Sequence, residues 1–458
     1  MSQMKSAQNA VERVAEHASS LTYDDLTGQT ITRARQVVLD TLGTTLGGYQ
    51  EPLGDLSVEY VITDSPGDEA TLVGDGRTAT VEGAAFANGV MSKHLGMDDS
   101  HRTAGHVASE LVPIVLAAGE QRSLSGREAI VAMAAGYDVF DMIQSQVEDW
   151  QRERGHDHKS QAGTLASAVT AAVALDLSED EIGNALALAM DMASGTEQYV
   201  YDAGECDTKD LLSGYAARNG IQAAKMASFG FRGPPGALDG EYGYFHAFGP
   251  GYDPEYLETL DGEPSLAETG FKPHAGCRRV HACVDATRQI LENDPPDIDA
   301  IEKIEVDSYE GAITPDFRVD PDPETVGRAG FSLPVTVSVV LTRGSWYPED
   351  IEAYDEPEVR RLRHLVDVGL DEEIDEAYPE KNGCEVRITT ENGTVHKGRV
   401  EYAKGEPENM LTDEEFSEKF RHLASGVLSD EQMDQVESMT SRFEDLDDIG
   451  DLVAATTR

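Results

Sequence analysis

Basic residues are scarce in this chain of 458 residues. Lys and Arg number 36 against 86 Asp and Glu, which gives a formal net charge of -50. A surface of that sign repels nucleic acids and anionic membranes, so we expect neither as a partner. Apolar-periodic stretches run between the acidic residues, and disordered chains lack such stretches. We therefore expect a folded, halophilic protein whose surface carboxylates are screened by salt.

Cysteine is also rare. Cys206, Cys277, Cys283 and Cys384 form no CxxC pair and no spacing typical of zinc or iron-sulfur sites, so we interpret them as ordinary buried thiols. Apolar runs of about 18 residues are missing, and the start of the chain lacks the apolar core of a signal peptide. These absences predict a cytoplasmic protein.

Common catalytic signatures are missing as well. The chain contains no GxGxxG, GxxxxGK[ST], GxSxG or HExxH motif. Nucleotide-dependent, serine-hydrolase and zincin chemistries are therefore disfavoured.

Helical periodicity dominates from about residue 10 to residue 268. Two capping boxes inside this stretch, Ser125 with Glu128 and Ser178 with Glu181, predict helix starts. The stretch therefore predicts a large all-helical domain over residues 1–268.

The pattern changes after residue 268. Alternation over residues 301–309 predicts a strand, and residues 384–403 predict two strands joined by an Asn392-Gly393 turn. Residues 331–344 combine β-branched side chains with a capped start, and we favour a helix there. We predict a smaller α/β lid domain over residues 269–405.

Helical periodicity returns near the end of the chain. Thr412 and Glu415 form another capping box before an apolar stripe. We expect residues 406–458 to pack back on the first domain, which makes the fold class mainly α with an inserted α+β unit.

Histidines cluster in three windows of the sequence. The clusters are His94, His101 and His106; His156 and His158; and His274 and His281. Histidine is the side chain best suited to proton transfer near neutral pH, so windows this far apart suggest one assembled site. Scattered surface histidines are the alternative.

Cations share these windows, which is unexpected in so acidic a chain. Arginine and lysine clamp carboxylates or phosphates, so an anionic ligand would explain them; local ion pairing is the alternative. The group comprises Lys93, Arg102, Arg152, Arg154, Lys159, Lys209, Lys272, Arg278 and Arg279.

A metal site is an open alternative in the first window. Asp98, Asp99, His101 and His106 offer carboxylate and imidazole ligands that suit iron, zinc or manganese. The same aspartates could instead end a helix and orient the histidines. We predict the second arrangement, with neither a metal nor another cofactor.

Several windows, taken in order, resemble the MmgE/PrpD family of 2-methylcitrate dehydratases and cis-aconitate decarboxylases. The resemblance covers nearly the whole chain. It rests on a helix followed by Asp-Asp-Ser and Gly-His, an Asp-His segment, a lysine-bearing helix, a Lys-Pro-His to Asp-Ala motif and the tail, at residues 84–120, 154–178, 209–245, 271–286 and 403–420.

The resemblance implies a helical domain built from both chain ends, an α/β lid, a cleft between them and a homodimer. Matched positions imply active-site roles for Ser100, His106, His158, Lys209 and His281. We add Asp98 as a catalytic residue, and we predict that the substrate is bound by Asp99, His101, Lys272, Arg278 and Arg279.

Two positions depart from the family pattern. Gly96 replaces an aspartate that usually stands two residues before the Asp-Asp pair, so Asp98 or Asp99 would have to cover its role. Leu212 and Ser213 stand where branches of the family have histidine or lysine. Both departures bear on the substrate more than on the fold.

The resemblance implies a metal-independent lyase acting on a small tri- or dicarboxylic acid. We predict dehydration of the 2-methylcitrate or citrate type, with His106 and His158 as the proton-transfer pair. His281, Lys209 and Arg278 would bind carboxylates and stabilise the enediolate-like charge. Decarboxylation of the cis-aconitate type, epimerisation and a non-catalytic carboxylate-binding protein are the alternatives.

Overall fold

Helices dominate the structure, a computed structural model that describes residues 9–101 and 105–458, except the side chains of residues 158 and 159. The helices before residue 270 are α1 (Ala10–Ser20), α2 (Gly28–Tyr49), α3 (Pro52–Asp64), α4 (Val81–His94), α5 (Ala108–Arg122), α6 (Gly126–Arg152), α7 (His158–Ala174), α8 (Glu179–Ala189), α9 (Gln198–Tyr201), α10 (Thr208–Ser228) and α11 (Tyr244–Ala247). The later helices are α12 (His281–Asn293), α13 (Glu310–Ile313), α14 (Val326–Ala329), α15 (Leu333–Arg343), α16 (Pro348–Ile351), α17 (Pro357–Arg363), α18 (Glu372–Glu376), α19 (Asp413–Ala424), α20 (Asp430–Thr440) and α21 (Gly450–Ala455).

In the part of the chain that the structure describes, strands form three small sheets. Their bounds are β1 (Pro66–Thr71), β2 (Thr78–Ala79), β3 (Asp99–His101), β4 (Thr269–Phe271), β5 (Ile301–Ser308), β6 (Val366–Leu370), β7 (Cys384–Thr390) and β8 (Val395–Val400). The strands β1 and β2 pair, β3 pairs with β4, and the largest sheet has the order β6-β5-β7-β8. Its β5 and β6 run parallel, whereas β5–β7 and β7–β8 are antiparallel. The mainly α fold with an inserted α+β unit is confirmed.

The helical core uses small residues to bring helices close together. A side chain at Gly89 of α4 would lie 3.3 Å from the Cα atom of Gly214 in α10. A side chain at Gly220 of α10 would lie 2.4 Å from Ser167 of α7. Larger residues at these positions would force the helices apart.

Buried apolar side chains form two main clusters. One cluster contains residues from Ala10 to Phe271 and then from Leu411 to Ala455, so the last helices pack on the first ones. The other lies around the four-stranded sheet and the helices α12 and α15. The predicted boundaries after residues 268 and 405 stay predictions.

Local sequence signals identified several elements correctly. The capping boxes that begin with Ser125, Ser178 and Thr412 are formed at the starts of α6, α8 and α19. Gly393 has a φ of 82° between β7 and β8, as a tight hairpin turn requires. Ser332 accepts a hydrogen bond from the backbone N–H of Val335 and caps α15, which confirms a helix in that β-branched stretch.

Two features bear on the predictions about thiols and membranes. Cys283 and Cys384 are buried, but Cys206 is exposed and Cys277 is half-buried. The interpretation of all four as buried thiols is therefore wrong for these two, because burial depends on tertiary contacts that spacing does not report. Within the described ranges, no helix combines the length and apolar character needed to cross a bilayer.

Candidate active site

A cavity of about 1610 Å³ lies where side chains of the helical core meet those of the sheet-containing unit. Its lining holds seven lysines and arginines beside nine acidic residues, so cations make up a larger share of the charged groups there than in the chain as a whole. The lysine, arginine and histidine residues on its walls are Lys93, His94, His101, His106, Arg152, Lys209, Lys272, Arg278, Arg279, Arg318 and His422.

Asp98 is the centre of a buried charge cluster at one wall of the cavity. Its Oδ2 atom lies 2.6 Å from Nζ of Lys93, and its Oδ1 atom lies 2.5 Å from Nζ of Lys272. All three side chains are buried, but only the lysines line the cavity. Burial alone would raise the pKa of Asp98, but the two ammonium groups hold it well below its usual range. Two positive charges thus meet one negative charge.

Strand pairing brings these groups together across the sequence. Asp99 of β3 lies opposite Phe271 of β4, so Lys272, the residue after β4, reaches Asp98. The chain enters β3 through Gly96, which has a φ of 62°. A side chain there would lie 3.1 Å from the backbone nitrogen of Gly276. Glycine at position 96 therefore permits both the left-handed turn and the close approach of the backbone at Gly276.

His106 is held in one tautomer by the backbone. Its Nδ1 atom lies 2.6 Å from the carbonyl oxygen of Asp99, and because a carbonyl can only accept, Nδ1 carries the proton. Burial, followed by the charges of Lys272 and Lys93, lowers the pKa of His106 well below its usual range. The ring is therefore neutral, and Nε2 keeps its lone pair. His106 lines the cavity, so this arrangement provides a general base.

Asp99 lies behind the cavity wall. It accepts hydrogen bonds from the backbone N–H of Ala108 at 3.1 Å and from the hydroxyl of Tyr137 at 3.0 Å. Burial and the neighbouring Asp98 raise the pKa of Asp99 to about 7. These contacts fix the strand and helix that carry His106, so Asp99 is placed to position that ring.

Ser100 and Arg278 connect the two units at the cavity surface. An Nη1–H group of Arg278 donates to Oγ of Ser100 at 2.7 Å, and its Nη2 atom lies 2.8 Å from Glu406. Both Ser100 and Arg278 line the cavity. The arginine can therefore contact a ligand while it holds the serine.

Lys209 lies beside a second carboxylate on the cavity wall. Its Nζ atom is 3.5 Å from Asp210, which accepts a hydrogen bond from Nδ1 of His94 at 2.8 Å. Burial would raise the pKa of Asp210, but Lys209 and His94 lower it. The Lys209 side chain is 35% exposed, which leaves it free to contact a bound anion.

His281 is buried and does not itself line the cavity. Its ring packs edge-on against His274 at a centroid distance of 5.3 Å, and its Nε2 atom lacks a hydrogen-bond partner in the described part of the chain. Nε2 of His274 donates to Asp285 at 2.9 Å. Burial, then His274 and Lys272, lower the pKa of His281 well below its usual range. The ring is therefore neutral, and it lies behind the cavity lining.

The other predicted residues lie in different settings. His101 is buried in β3 and donates from Nε2 to the carbonyl of Ser265 at 2.9 Å. Arg279 donates to the carbonyl of Gly311, away from Asp98. Helix α7 begins at His158, whose side chain lies outside the described residues.

The carboxylates of Asp98 and Asp99 and the ring of His106 offer ligand atoms within 4.8 Å of one another. Their chemistry does not suit a cation. Two ammonium groups already occupy Asp98, both Asp99 oxygens accept hydrogen bonds, and Nδ1 of His106 is protonated. A metal would have to displace the lysines or remove that proton.

Sequence reasoning missed several side chains that support the site. Tyr137, Asp210, Glu406 and Arg318 stand far from the histidine windows or carry no distinguishing motif. Asp210 is the one that a sequence signal could have found, because it directly follows Lys209.

Comparison with known proteins agrees with this architecture. Family models match residues 12–257 as the MmgE/PrpD N-terminal domain and residues 274–444 as the MmgE/PrpD C-terminal domain. Because these matches span most of the chain, the protein belongs to the MmgE/PrpD family.

Curated relatives match over nearly their whole length. Cis-aconitate decarboxylase of Homo sapiens is 27% identical over 455 residues, which cover 94% of this chain and 90% of the relative. The enzyme of the same name from Aspergillus terreus is 26% identical over 467 residues, with 95% and 93% covered. The Mus musculus enzyme of that name is 27% identical over 463 residues, with 96% and 92% covered.

Proposed function

We propose that this chain is a metal-independent lyase that dehydrates a small tri- or dicarboxylic acid of the 2-methylcitrate or citrate type. The observation that carries the proposal is His106, a neutral ring with Nδ1 protonated against a carbonyl and Nε2 available at a cavity wall that carries Lys93 and Lys272. A neutral imidazole can accept a proton from carbon, and surrounding cations can bind the carboxylate next to that carbon.

The proposed reaction begins with substrate binding by Lys272, Lys209 and Arg278. Nε2 of His106 then takes the proton from the carbon beside a bound carboxylate, and negative charge moves onto that carboxylate. The excess positive charge around Asp98 stabilises this charge without a metal. The hydroxyl group leaves as water after it accepts a proton, for which His158 stays the predicted donor.

Decarboxylation is the second candidate, and the names of the curated relatives favour it. A cis-aconitate-like acid would lose carbon dioxide, and the electron pair released would be protonated at carbon. Lys272 could supply that proton, because burial lowers its pKa to about 8 and the ammonium form is present at neutral pH. Both reactions use the same cations and differ in the bond that breaks.

The test uses the purified protein in high salt with 2-methylcitrate, citrate or cis-aconitate. Absorbance of the unsaturated acid and released carbon dioxide are followed together. Unsaturated product without carbon dioxide is the expected result, whereas stoichiometric carbon dioxide selects the second candidate.

Two further results would reject parts of the proposal. Activity that is lost with a chelator and restored by added metal would contradict the metal-independent mechanism. Binding of these acids without turnover, or proton exchange without elimination, would select the non-catalytic or epimerase alternative.

A further inference from the structure

Two arginines on the cavity wall share a single backbone acceptor. Arg279 and Arg318 each donate from Nη1 to the carbonyl oxygen of Gly311, and the Arg318 contact is 3.0 Å long. The first arginine belongs to the short turn Arg278–Val280, where the preceding Arg278 reaches Ser100 instead. Consecutive arginines thus direct their charges to different parts of the cavity.

Arg279 and Arg318 have no ion-pair partner in the described part of the chain, although Glu197 on the same cavity wall attracts both charges from a greater distance. Among the described residues, no carboxylate oxygen lies within 4.0 Å of either guanidinium group, although the chain has 86 acidic residues. Arg318 is only 8% exposed, and its buried Nε atom has no hydrogen-bond partner within the described ranges. Buried charges normally have a partner, so a bound anion is the missing element.

The surroundings of the pair support the same conclusion. Cys277 lines the cavity beside the pair, and although burial would raise the pKa of its thiol, Arg318 and Arg279 lower it. Gly311 permits the close contact, because a side chain there would lie 2.9 Å from Nη1 of Arg279. The two guanidinium groups therefore act on the thiol, and glycine at position 311 leaves room for that of Arg279.

We propose that Arg279 and Arg318 form a second carboxylate subsite, which binds a terminal carboxylate of the substrate remote from the carbon that loses its proton. This inference rests on the proposed function, because it assigns the ligand of the same cavity. A second carboxylate subsite implies that the substrate is a tricarboxylic acid. Lys272 and Arg278 bind the end of the substrate that reacts, and the arginine pair binds the additional terminal carboxylate. Paired guanidinium groups suit planar carboxylates.

Two inert acids that differ by one carboxylate test the subsite. Propane-1,2,3-tricarboxylate is the full probe, and 2-methylsuccinate is the same acid with one terminal carboxylate removed. Isothermal titration should show tighter binding of the tricarboxylate. In Arg279→Gln and Arg318→Gln its affinity should fall by about tenfold or more, while that of 2-methylsuccinate changes less than twofold.

Arg343→Gln is the matched control, because that arginine is exposed and pairs with Glu356. Equal losses for both acids, or an unchanged preference, would overturn the proposal. Neither probe can be dehydrated, so a failure of the lyase assay leaves this preference intact. A loss of preference with normal turnover would reject the subsite alone.

A second measurement uses the unmodified chain, in case Arg318→Gln does not fold. Alkylation of Cys277 by iodoacetamide, followed by peptide mass spectrometry, should be slowed by the tricarboxylate and not by 2-methylsuccinate. A different result would overturn the substrate assignment and identify a site for free inorganic anions. In that case inorganic phosphate slows the alkylation of Cys277 without changing the affinity for 2-methylsuccinate, and the tricarboxylate does not slow it.

Discussion

Two buried aspartates illustrate how similar contacts serve different purposes. Asp98 contacts Lys93 and Lys272, whereas the one ion-pair partner of Asp40 among the described residues is Lys419, at 2.5 Å. All of these side chains are almost fully buried. The two clusters differ in the number of lysines per aspartate and in whether those lysines line the cavity.

Asp40 and Lys419 form a one-to-one ion pair, although Oδ2 of Asp40 is buried without a hydrogen-bond partner in the described part of the chain. The ammonium group also donates to the carbonyl of Met97 at 2.6 Å, and neither residue lines the cavity among the described residues. Burial raises the pKa of Asp40 despite Lys419. At Asp98, by contrast, a surplus positive charge lies at the cavity wall, so a buried charge cluster that is not neutral is the one that can bind an anion.

Replacement of His106 should have the largest effect on catalysis. His106→Gln removes the proposed base while the cations at Asp98 remain, so kcat should fall by about 10²- to 10⁴-fold. Affinity for propane-1,2,3-tricarboxylate should stay within a few-fold of that of the unmodified protein. Steady-state kinetics and titration calorimetry measure the two quantities.

The control for this variant is His364→Gln, because His364 is 53% exposed and pairs with Asp322. It should leave kcat unchanged. Equal kcat values for the two variants would remove His106 from the mechanism.

Removal of a lysine should destabilise the protein more at Asp40 than at Asp98. Lys419→Met leaves Asp40 buried without its charge partner and should lower the free energy of unfolding by about 3–5 kcal/mol. Lys272→Met should lower it less, because Lys93 still pairs with Asp98. Urea titration measures both. A smaller loss for Lys419→Met than for Lys272→Met would contradict the distinction drawn between the two clusters.

Titration of Lys272 should affect the free energy of unfolding and the affinity for the tricarboxylate in opposite directions as the pH rises. Burial lowers its pKa from 10.5 to about 8 in the folded chain. Between these values the unfolded chain binds more protons, so this group makes the free energy of unfolding rise with pH. Affinity for the tricarboxylate should instead fall by about tenfold as the pH passes 8, since the cation is lost.

Lys272→Arg should move the decline in affinity to higher pH, because guanidinium stays charged. Lys272→Gln should give a lower affinity with no decline near pH 8. A decline that persists unchanged in Lys272→Gln would assign the titration to another group.

The smallest effect concerns the turn that leads to Asp98. Gly96→Asp restores the residue common in the family but places a side chain at a φ of 62° and 3.1 Å from the backbone of Gly276. We expect a loss of about 1–2 kcal/mol in unfolding free energy and no gain in kcat.

Gly344→Asp is the matched control for Gly96→Asp. Gly344 has a φ of 79°, but a Cβ atom at that position would have no atom of the described residues within 4 Å. It should lose less stability than Gly96→Asp. A gain in kcat for Gly96→Asp would show that Asp98 does not cover the missing carboxylate.

Local signals predicted much of the fold. Capping residues such as Ser125 and the Asn392-Gly393 turn act over a few residues, so the sequence reveals them directly. The same holds for the windows that contain His106 and Lys272, which the fold brings to one cavity.

The partners of those residues could not be predicted in the same way. Nothing local to Lys272 indicates that it contacts Asp98, and nothing local to Tyr137 indicates its bond to Asp99. The pairing of Arg279 and Arg318 through Gly311 is likewise a product of tertiary folding. The charge balance of a cluster, and therefore its affinity for an anion, depends on contacts between distant segments.

The candidate active site is complete only after β3 has paired with β4 during folding. This pairing joins Asp98 to Lys272, which stand 174 positions apart. Contacts of such high sequence separation require closure of a long loop and tend to form late. In a refolding experiment, recovery of anion binding should therefore trail recovery of helical circular dichroism, and the ligand becomes a probe of the last long-range step.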